Sequence, residues 1–302
     1  LKKLLQLASH YKMPALAITD HGNMFGAIEF YQDAQNAGIK PIIGCEAYIA
    51  PKSRLDKSSS GIREAAYHLI LLCKDEEGYH NLMKLVSIGY MEGFYYRPRI
   101  DKEVLAKHAK GLIGLTACLK GEIPALLSNN QLNGALKCAD DYLQIFGRGN
   151  FYIEIQENGL SEQTLCNQGL IKLAKELSLP LVATNDVHYL TKETAKAHEA
   201  LLCIQTQTTL SDPKRMRFHS EEFYFKSADE MKALFKEFPE AITNTITITE
   251  RCNLELNFKE VHLPHYEAPV GQTKDEYLRA LCEEGLKRIF SEETPEIRQR
   301  LE

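Results

Sequence analysis

Residues 13–22, Met13-Pro14-Ala15-Leu16-Ala17-Ile18-Thr19-Asp20-His21-Gly22, set the pattern from which the fold is read. A loop proline opens the stretch, four apolar residues follow, and the run ends on polar groups. Upstream, Leu5 to His10 has helical spacing. Downstream, Ala27, Phe30, Tyr31 and Ala34 share one helical face, and Gly38 suits the helix's C-terminal cap. Pro41-Ile42-Ile43 then runs into Gly44-Cys45-Glu46. The theme returns when the helical stretch Leu165 to Leu177 gives way to Pro180-Leu181-Val182-Ala183, which ends on Thr184-Asn185-Asp186-Val187-His188. His68 to Cys73, Leu112 to Cys118 and Phe151 to Ile155 are further strand candidates. Continuous apolar runs alternating with helices predict parallel strands buried on both faces, in an α/β barrel or a doubly wound sheet.

A chain of 302 residues sets a prior of about two domains, at roughly 150 residues each. Apolar residues at 44% and charged residues at 25% are enough for a sizeable core and argue against disorder. The net charge of −5 excludes a basic nucleic-acid module read from overall charge, although a local basic strip stays possible. No apolar run approaches the ~20 residues of a membrane span. Eight scattered cysteines with no C-x-x-C pair suggest reduced thiols inside a cell, most of them packing as small hydrophobes. Lys57-Ser58-Ser59-Ser60-Gly61 reads as a surface loop, and Ser227-Ala228-Asp229-Glu230 as a capping box that opens a helix. Ile242 to Ile248 fits a strand by its Thr-Ile alternation, and a helix by Ala241, Thr245 and Ile248. The pattern breaks around Leu263-Pro264 and a new helix opens at Thr273, which places a boundary near residue 261. Leu1 and the last residues, Pro295 to Glu302, both have helical spacing, so the chain is expected to begin and end inside elements of something longer.

The polar residues closing the apolar runs are of one chemical kind: Asp20 and His21, Glu46, Cys118, Asp186 and His188. His68 belongs with them but precedes its run. Residues at the carboxyl ends of different α/β strands converge on one face, and imidazole, carboxylate and thiolate together are divalent-metal ligands. Taken singly, each has an ordinary explanation. Asp20 suits a turn or cap, Asp186-Val187-His188 is a common tripeptide, and Cys118 suits a buried hydrophobe. Asp186 and His188 lie two apart, so in a strand both point the same way; Asp20 and His21 are adjacent and point oppositely. His80, His108, His198 and His219 read as surface or packing residues. Walker, G-x-G-x-x-G and G-x-S-x-G motifs are absent. Phe94-Tyr95-Tyr96-Arg97-Pro98-Arg99 interleaves aromatics with arginines, a composition that stacks bases and neutralises phosphates, or else packs its tyrosines as an ordinary loop. Lys214-Arg215-Met216-Arg217 is a short basic run of the kind found in solvated turns.

Ala17-Ile18-Thr19-Asp20-His21-Gly22-Asn23-Met24-Phe25-Gly26 and Gly38 to Glu46 closely resemble the polymerase-and-histidinol-phosphatase (PHP) domain of bacterial DNA polymerase III alpha subunits. So do Thr184 to Tyr189, Leu201 to Thr206, Asp212 to Phe218, Arg251-Cys252-Asn253 and Glu276 to Leu286. The resemblance covers nearly the whole chain.

It implies an α/β fold, a distorted barrel of about seven strands with a metal site at its carboxyl face. Carried over, the metal ligands are His21, Glu46, His68, Cys118, Asp186 and His188, with Asp20 a neighbour. The family opens with an H-x-H strand that lies before Leu1 here, so the barrel is expected to lack its first strand. Residues 1–260 are then the PHP phosphoesterase domain and 261–302 the beginning of the polymerase region. The implied protein is the replicative DNA-directed DNA polymerase (a nucleotidyltransferase), with its magnesium-binding polymerase carboxylates downstream of residue 302. The PHP segment would hold zinc, manganese or iron and hydrolyse a phosphoester, as a 3′-5′ proofreading exonuclease. The alternatives are a non-catalytic, metal-braced scaffold and a free-standing PHP phosphatase. Implied partners are primer-template DNA, contacted weakly through Arg97, Arg99, Tyr95 and Tyr96, with a sliding clamp and a proofreading subunit, in the bacterial cytoplasm and away from membranes.

Overall fold

Each apolar run that ends on polar residues becomes a strand, and the helices between them cover the sheet. The computed structural model describes residues 1–58, 61, 65–260 and 263–302. Its first half holds α1 (Lys2–His10), β1 (Ala15–Ile18), α2 (Ala27–Asn36), β2 (Lys40–Ile49), β3 (Tyr67–Cys73), α3 (Glu76–Met91), β4 (Arg99–Ile100), α4 (Lys102–Lys107) and β5 (Leu112–Leu115). There follow α5 (Glu122–Ser128), α6 (Leu132–Phe146), β6 (Phe151–Gln156), α7 (Ser161–Leu177), β7 (Leu181–Thr184), a 3-10 turn at Lys192–Thr194, α8 (Ala195–Gln205), α9 (Ala228–Leu234) and α10 (Pro239–Arg251).

The strands hydrogen-bond in the order β1-β2-β3-β5-β6-β7, with the short β4 beside β2. This is an α/β fold whose sheet curls into an open half-barrel, an incomplete and distorted barrel of the PHP type. The expectation of an all-parallel sheet needs correction. β3 runs antiparallel to both β2 and β5, while the remaining pairs are parallel. The hydrophobic runs could not reveal this, because a strand buried on both faces reads the same in either direction.

Ile42, Ile70, Leu72, Ile113, Leu115, Tyr152 and Val182 form one core layer with Ile248 and Cys252. The ambiguous stretch Ile242–Ile248 is helical, within α10. Pro239 sits in the first turn, where its missing N–H costs nothing, and Ala241 and Ile248 are buried one above the other. Asn244 Nδ2 also donates to the Leu181 carbonyl at 2.7 Å, which fixes α10 along β7. Elsewhere Phe151 stacks on Tyr142 and Phe146 of α6 (5.4 and 5.8 Å between ring centroids). Gly114 makes room for that stack, since a Cβ there would lie 2.6 Å from the Phe146 ring.

The expected capping box forms, with Ser227 and Glu230 each accepting the other's backbone N–H. Cys45, Cys73, Cys138, Cys166, Cys203 and Cys252 are buried, whereas Cys282 is exposed. No described helix is long and apolar enough to cross a membrane.

The chain divides into two compact units, Leu1–Glu255 and Leu256–Glu302. The boundary read near residue 261 falls on residues outside the described set, as do Ser59 and Ser60 of the loop reading. The second unit holds α11 (Lys274–Ile289), opened by a Thr273–Glu276 capping box, and α12 (Pro295–Leu301). Arg298 of α12 pairs with Glu283 of α11.

Candidate metal centre

The antiparallel sense of β3 explains why His68 precedes its apolar run. The start of β3 lies at the end of the sheet where β1, β5 and β7 finish. In the β2–β3 register Glu46 faces Ile70 and Tyr48 faces His68, so Glu46 and Tyr48, two apart, share a face with His68 diagonal to the carboxylate. Glu46 therefore lies within β2, which continues to Ile49, and not at the end of its run as the sequence suggested. The loop after β1 is laid along β2 by an isolated bridge between His21 and Glu46, with the Glu46 N–H on the Asp20 carbonyl at 3.0 Å. Gly22 follows with φ +66°, and a Cβ there would strike Tyr48 and Pro98.

Each Glu46 oxygen faces one imidazole. Oε1 makes a short hydrogen bond with His68 Nδ1, and Oε2 lies 3.4 Å from His21 Nδ1. One donor atom from each of His21, Glu46 and His68 lies within 4.8 Å of the others. Two imidazoles and a carboxylate so placed fit a divalent transition metal. Cys118 Sγ is 3.9 Å from both Glu46 Oε1 and His68 Nδ1. His188 Nδ1 lies 3.9 Å from Asp186 Oδ1, and the His188 ring is 6.3 Å from that of His21. The structure thus gathers the six sequence-derived positions at one end of the sheet, His21, Glu46 and His68 as a compact triad with Cys118, Asp186 and His188 beside it.

The route by which Asp186 and His188 arrive differs from the strand alternation read in the sequence. β7 ends at Thr184, and Asp186 is in the left-handed region at φ +52°. The hydrogen bonds of the His188 N–H to the Phe223 carbonyl (2.9 Å) and of its Nδ1 to the Asp186 carbonyl (2.9 Å) hold the turn. Asp20 is exposed and contributes its backbone carbonyl.

Charge at the site is asymmetric. Burial pushes the Glu46 carboxyl upward, but the His68 hydrogen bond and the nearby imidazoles outweigh it and hold the group below the usual range. Burial raises the Asp186 carboxyl, His188 opposes this and the Glu46 charge adds to it. Burial, then Glu46 and Asp186, push the Cys118 thiol well up. Burial lowers His21 against the pull of Glu46. Two acids and a thiol held together beside three imidazoles form a site that a cation would stabilise.

Sequence reading missed three contributors. Tyr48 packs between His21 (6.1 Å) and His68 (5.2 Å), and the signal was its place two residues after Glu46. Lys120 acts electrostatically on His21, Cys118 and Asp186. Glu154, a lone acid inside the apolar run of β6, accepts the Ala117 N–H at 2.8 Å and the Thr184 hydroxyl, and so joins the segments that carry Cys118 and Asp186.

The weak nucleic-acid residues separate. Arg97 lies 5.7 Å over the Tyr48 ring, and Tyr96 is exposed, with its ring 4.5 Å from Tyr95. Arg99 does not belong with them. It is 1% exposed, and its guanidinium donates to the carbonyls of Gly93, Ala65, Arg54 and Asp56. Arg99→Met leaves those carbonyls without donors and is expected to cost about 3–5 kcal/mol in urea unfolding. If this loop contacts DNA as the sequence reading expects, Arg97→Ala should flatten the salt dependence of binding and leave stability nearly unaltered, while Arg99→Met should leave that dependence unchanged. Of the other histidines, His198 packs on His188 at 5.5 Å, and His108 Nδ1 reaches Asn81 Oδ1 at 3.4 Å.

An open α/β half-barrel with a histidine-carboxylate cluster at one end defines a class, and sequence comparison gives the same one. The PHP domain family matches residues 1–158, so the chain belongs to the PHP family. Within it, the chain is homologous to bacterial DNA polymerase III alpha subunits. It is 45% identical over 301 residues to the DNA polymerase III subunit alpha of Treponema pallidum, covering 99% of this chain and 26% of that protein. It is 47% identical over 290 residues to that of Thermus aquaticus, covering 94% of this chain and 24% of that protein. The chain thus spans about a quarter of the length of these relatives.

Proposed function

We propose that residues 1–260 are a metal-dependent phosphoesterase domain, acting as a 3′-5′ exonuclease on DNA, within the alpha subunit of a bacterial replicative DNA polymerase III. Residues 261–302 then open the polymerase region, whose magnesium-dependent nucleotide addition lies in the remainder of the subunit. The observation that carries this reading is the Glu46 carboxylate set between His21 and His68, with Cys118 beside them.

His21, Glu46, His68, Cys118, Asp186 and His188 would hold the metal. Zinc, manganese or iron bound there supplies Lewis acidity at a phosphate oxygen and acidifies water near neutral pH. Cys118, as the soft donor, favours zinc. His21 is the exposed member of the triad and marks the mouth. Lys120 places positive charge by it, and Arg97 lies over the neighbouring Tyr48 ring, a pair suited to orienting a phosphodiester. The subunit's partners in this reading are primer-template DNA, the sliding clamp and a proofreading subunit, in the cytoplasm.

A second reading is favoured by Glu46 tying the β1 loop, β2 and β3 together through its two oxygens. Here the cluster braces the fold and does no chemistry. Asp186→Asn in the complete subunit separates the two. Under the first reading, metal-dependent release of a mismatched 3′ nucleotide falls about 100-fold or more while nucleotide addition persists. Under the second, wild type releases no nucleotide with zinc, manganese or magnesium, and the substitution lowers nucleotide addition and melting temperature together.

A further inference from the structure

The aromatic wall behind His188 has a second side. A cavity of about 540 Å³ lies between α8 and residues 215–222. His198 and Phe218 line it, and both rings also pack on His188, at 5.5 and 4.8 Å. The cavity and the metal centre are therefore separated by one layer of rings. Its volume lies within the range of small-molecule sites.

The basic run at 214–217, which the proposed chemistry does not use, supplies one rim. Arg215 is committed to the scaffold, with Nε and Nη2 on Glu199 Oε1 (2.9 and 2.7 Å) and Nη1 on the Asp212 carbonyl (3.0 Å). Across the cavity Lys192 is paired with Glu222. Arg217, two residues beyond the anchored Arg215, is exposed, and Lys196 lies one helical turn beyond Lys192. Neither forms an ion pair among the described residues, and Glu221 is the lining acid also left without one. A guanidinium and an ammonium facing an aromatic wall are the donor set that recognises a phosphate next to a flat base.

We propose that this cavity is a nucleotide-binding subsite, taking a nucleoside monophosphate unit with its base against Phe218 and its phosphate against Arg217 and Lys196. The unit is a free mononucleotide or the 3′-terminal residue of a DNA strand. Its role as a subsite of the exonuclease rests on the function proposed above; its binding does not.

The test is equilibrium binding with a chelator present, so that hydrolysis plays no part. Anisotropy of a 5′-labelled deoxyoligonucleotide with a single-stranded 3′ end is measured for wild type and for the exposed pair Lys196→Ala/Arg217→Ala. The pair is expected to weaken binding about tenfold or more, and to leave binding of an equally long blunt duplex unchanged. Displacement of the label by dAMP identifies a site that also takes the free mononucleotide. Displacement by unlabelled strand alone confines the site to strand ends. Absence of wild-type binding, an equal loss on both DNAs, or displacement by inorganic phosphate as effective as by dAMP would overturn the proposal. An inactive exonuclease would sink the functional reading while leaving this binding result standing.

Discussion

Glu46→Gln is expected to weaken zinc or manganese binding by more than about a hundredfold, since even residues that only orient metal ligands change affinity by about 10–100-fold. The amide keeps the shape of the carboxylate and an oxygen for the His68 bond, but it removes the negative charge at the centre of the triad. The metal-free variant should therefore stay folded, with a melting temperature somewhat below that of wild type at neutral pH, where the ionised carboxylate contributes stability. Added metal separates them: at a concentration about 1,000 times its dissociation constant, an ion stabilises wild type by about 4 kcal/mol. That rise in melting temperature should vanish in the variant. Titration calorimetry and thermal melts with and without zinc measure both quantities. A variant that binds the ion as tightly as wild type would show that Glu46 is a strut between β2, β3 and the β1 loop.

Much of this site was legible because its ligand types close apolar runs, and the runs at Ala15–Ile18, His68–Cys73 and Leu181–Ala183 lie in strands. The residue set came from that pattern together with the family resemblance. What sequence could not supply was direction. His68 looked misplaced until β3 proved antiparallel, which turns its amino end towards the other ligands. Period-2 reasoning also failed at Asp186, where the strand has already ended and a left-handed residue redirects the chain. Arg99 failed for a further reason. An arginine beside tyrosines has the same composition whether its guanidinium meets phosphates or backbone carbonyls, and only its burial distinguishes them. The Thr-Ile alternation at 242–248 suggested a strand because β-branched residues favour one, but packing against β7 decides for helix.

Glu154 is expected to make the metal-free protein lose stability as the pH rises towards neutrality. Its carboxylate is 3% exposed in the middle of β6. Oε2 accepts the Ala117 N–H at 2.8 Å, and Oε1 accepts Gln156 Nε2 at 3.1 Å and the Thr184 hydroxyl. Burial, with the charges of Asp186 and Glu46 adding to it against these hydrogen bonds, raises its pKa from 4.5 to about 7. A carboxyl that holds its proton more tightly folded than unfolded contributes most stability below pH 4.5, and that contribution disappears as the pH passes through 7. The shift corresponds to a loss on the order of 3 kcal/mol across this window. Asp186, also raised, acts in the same direction, and Glu46, lowered, acts in the opposite one, so the contribution of Glu154 is isolated by difference. Glu154→Gln replaces the titrating group with one that is neutral at every pH. Urea unfolding of both proteins from pH 4.5 to 8, in chelator, should show the variant's disadvantage shrinking steadily as the pH rises. Saturating zinc should flatten the trend, because a cation beside Asp186 and Glu46 removes the repulsion that helps to keep Glu154 protonated. A difference between the two proteins that stays constant across the window would mean that Glu154 is ionised throughout and braces Ala117 and Thr184 as a carboxylate.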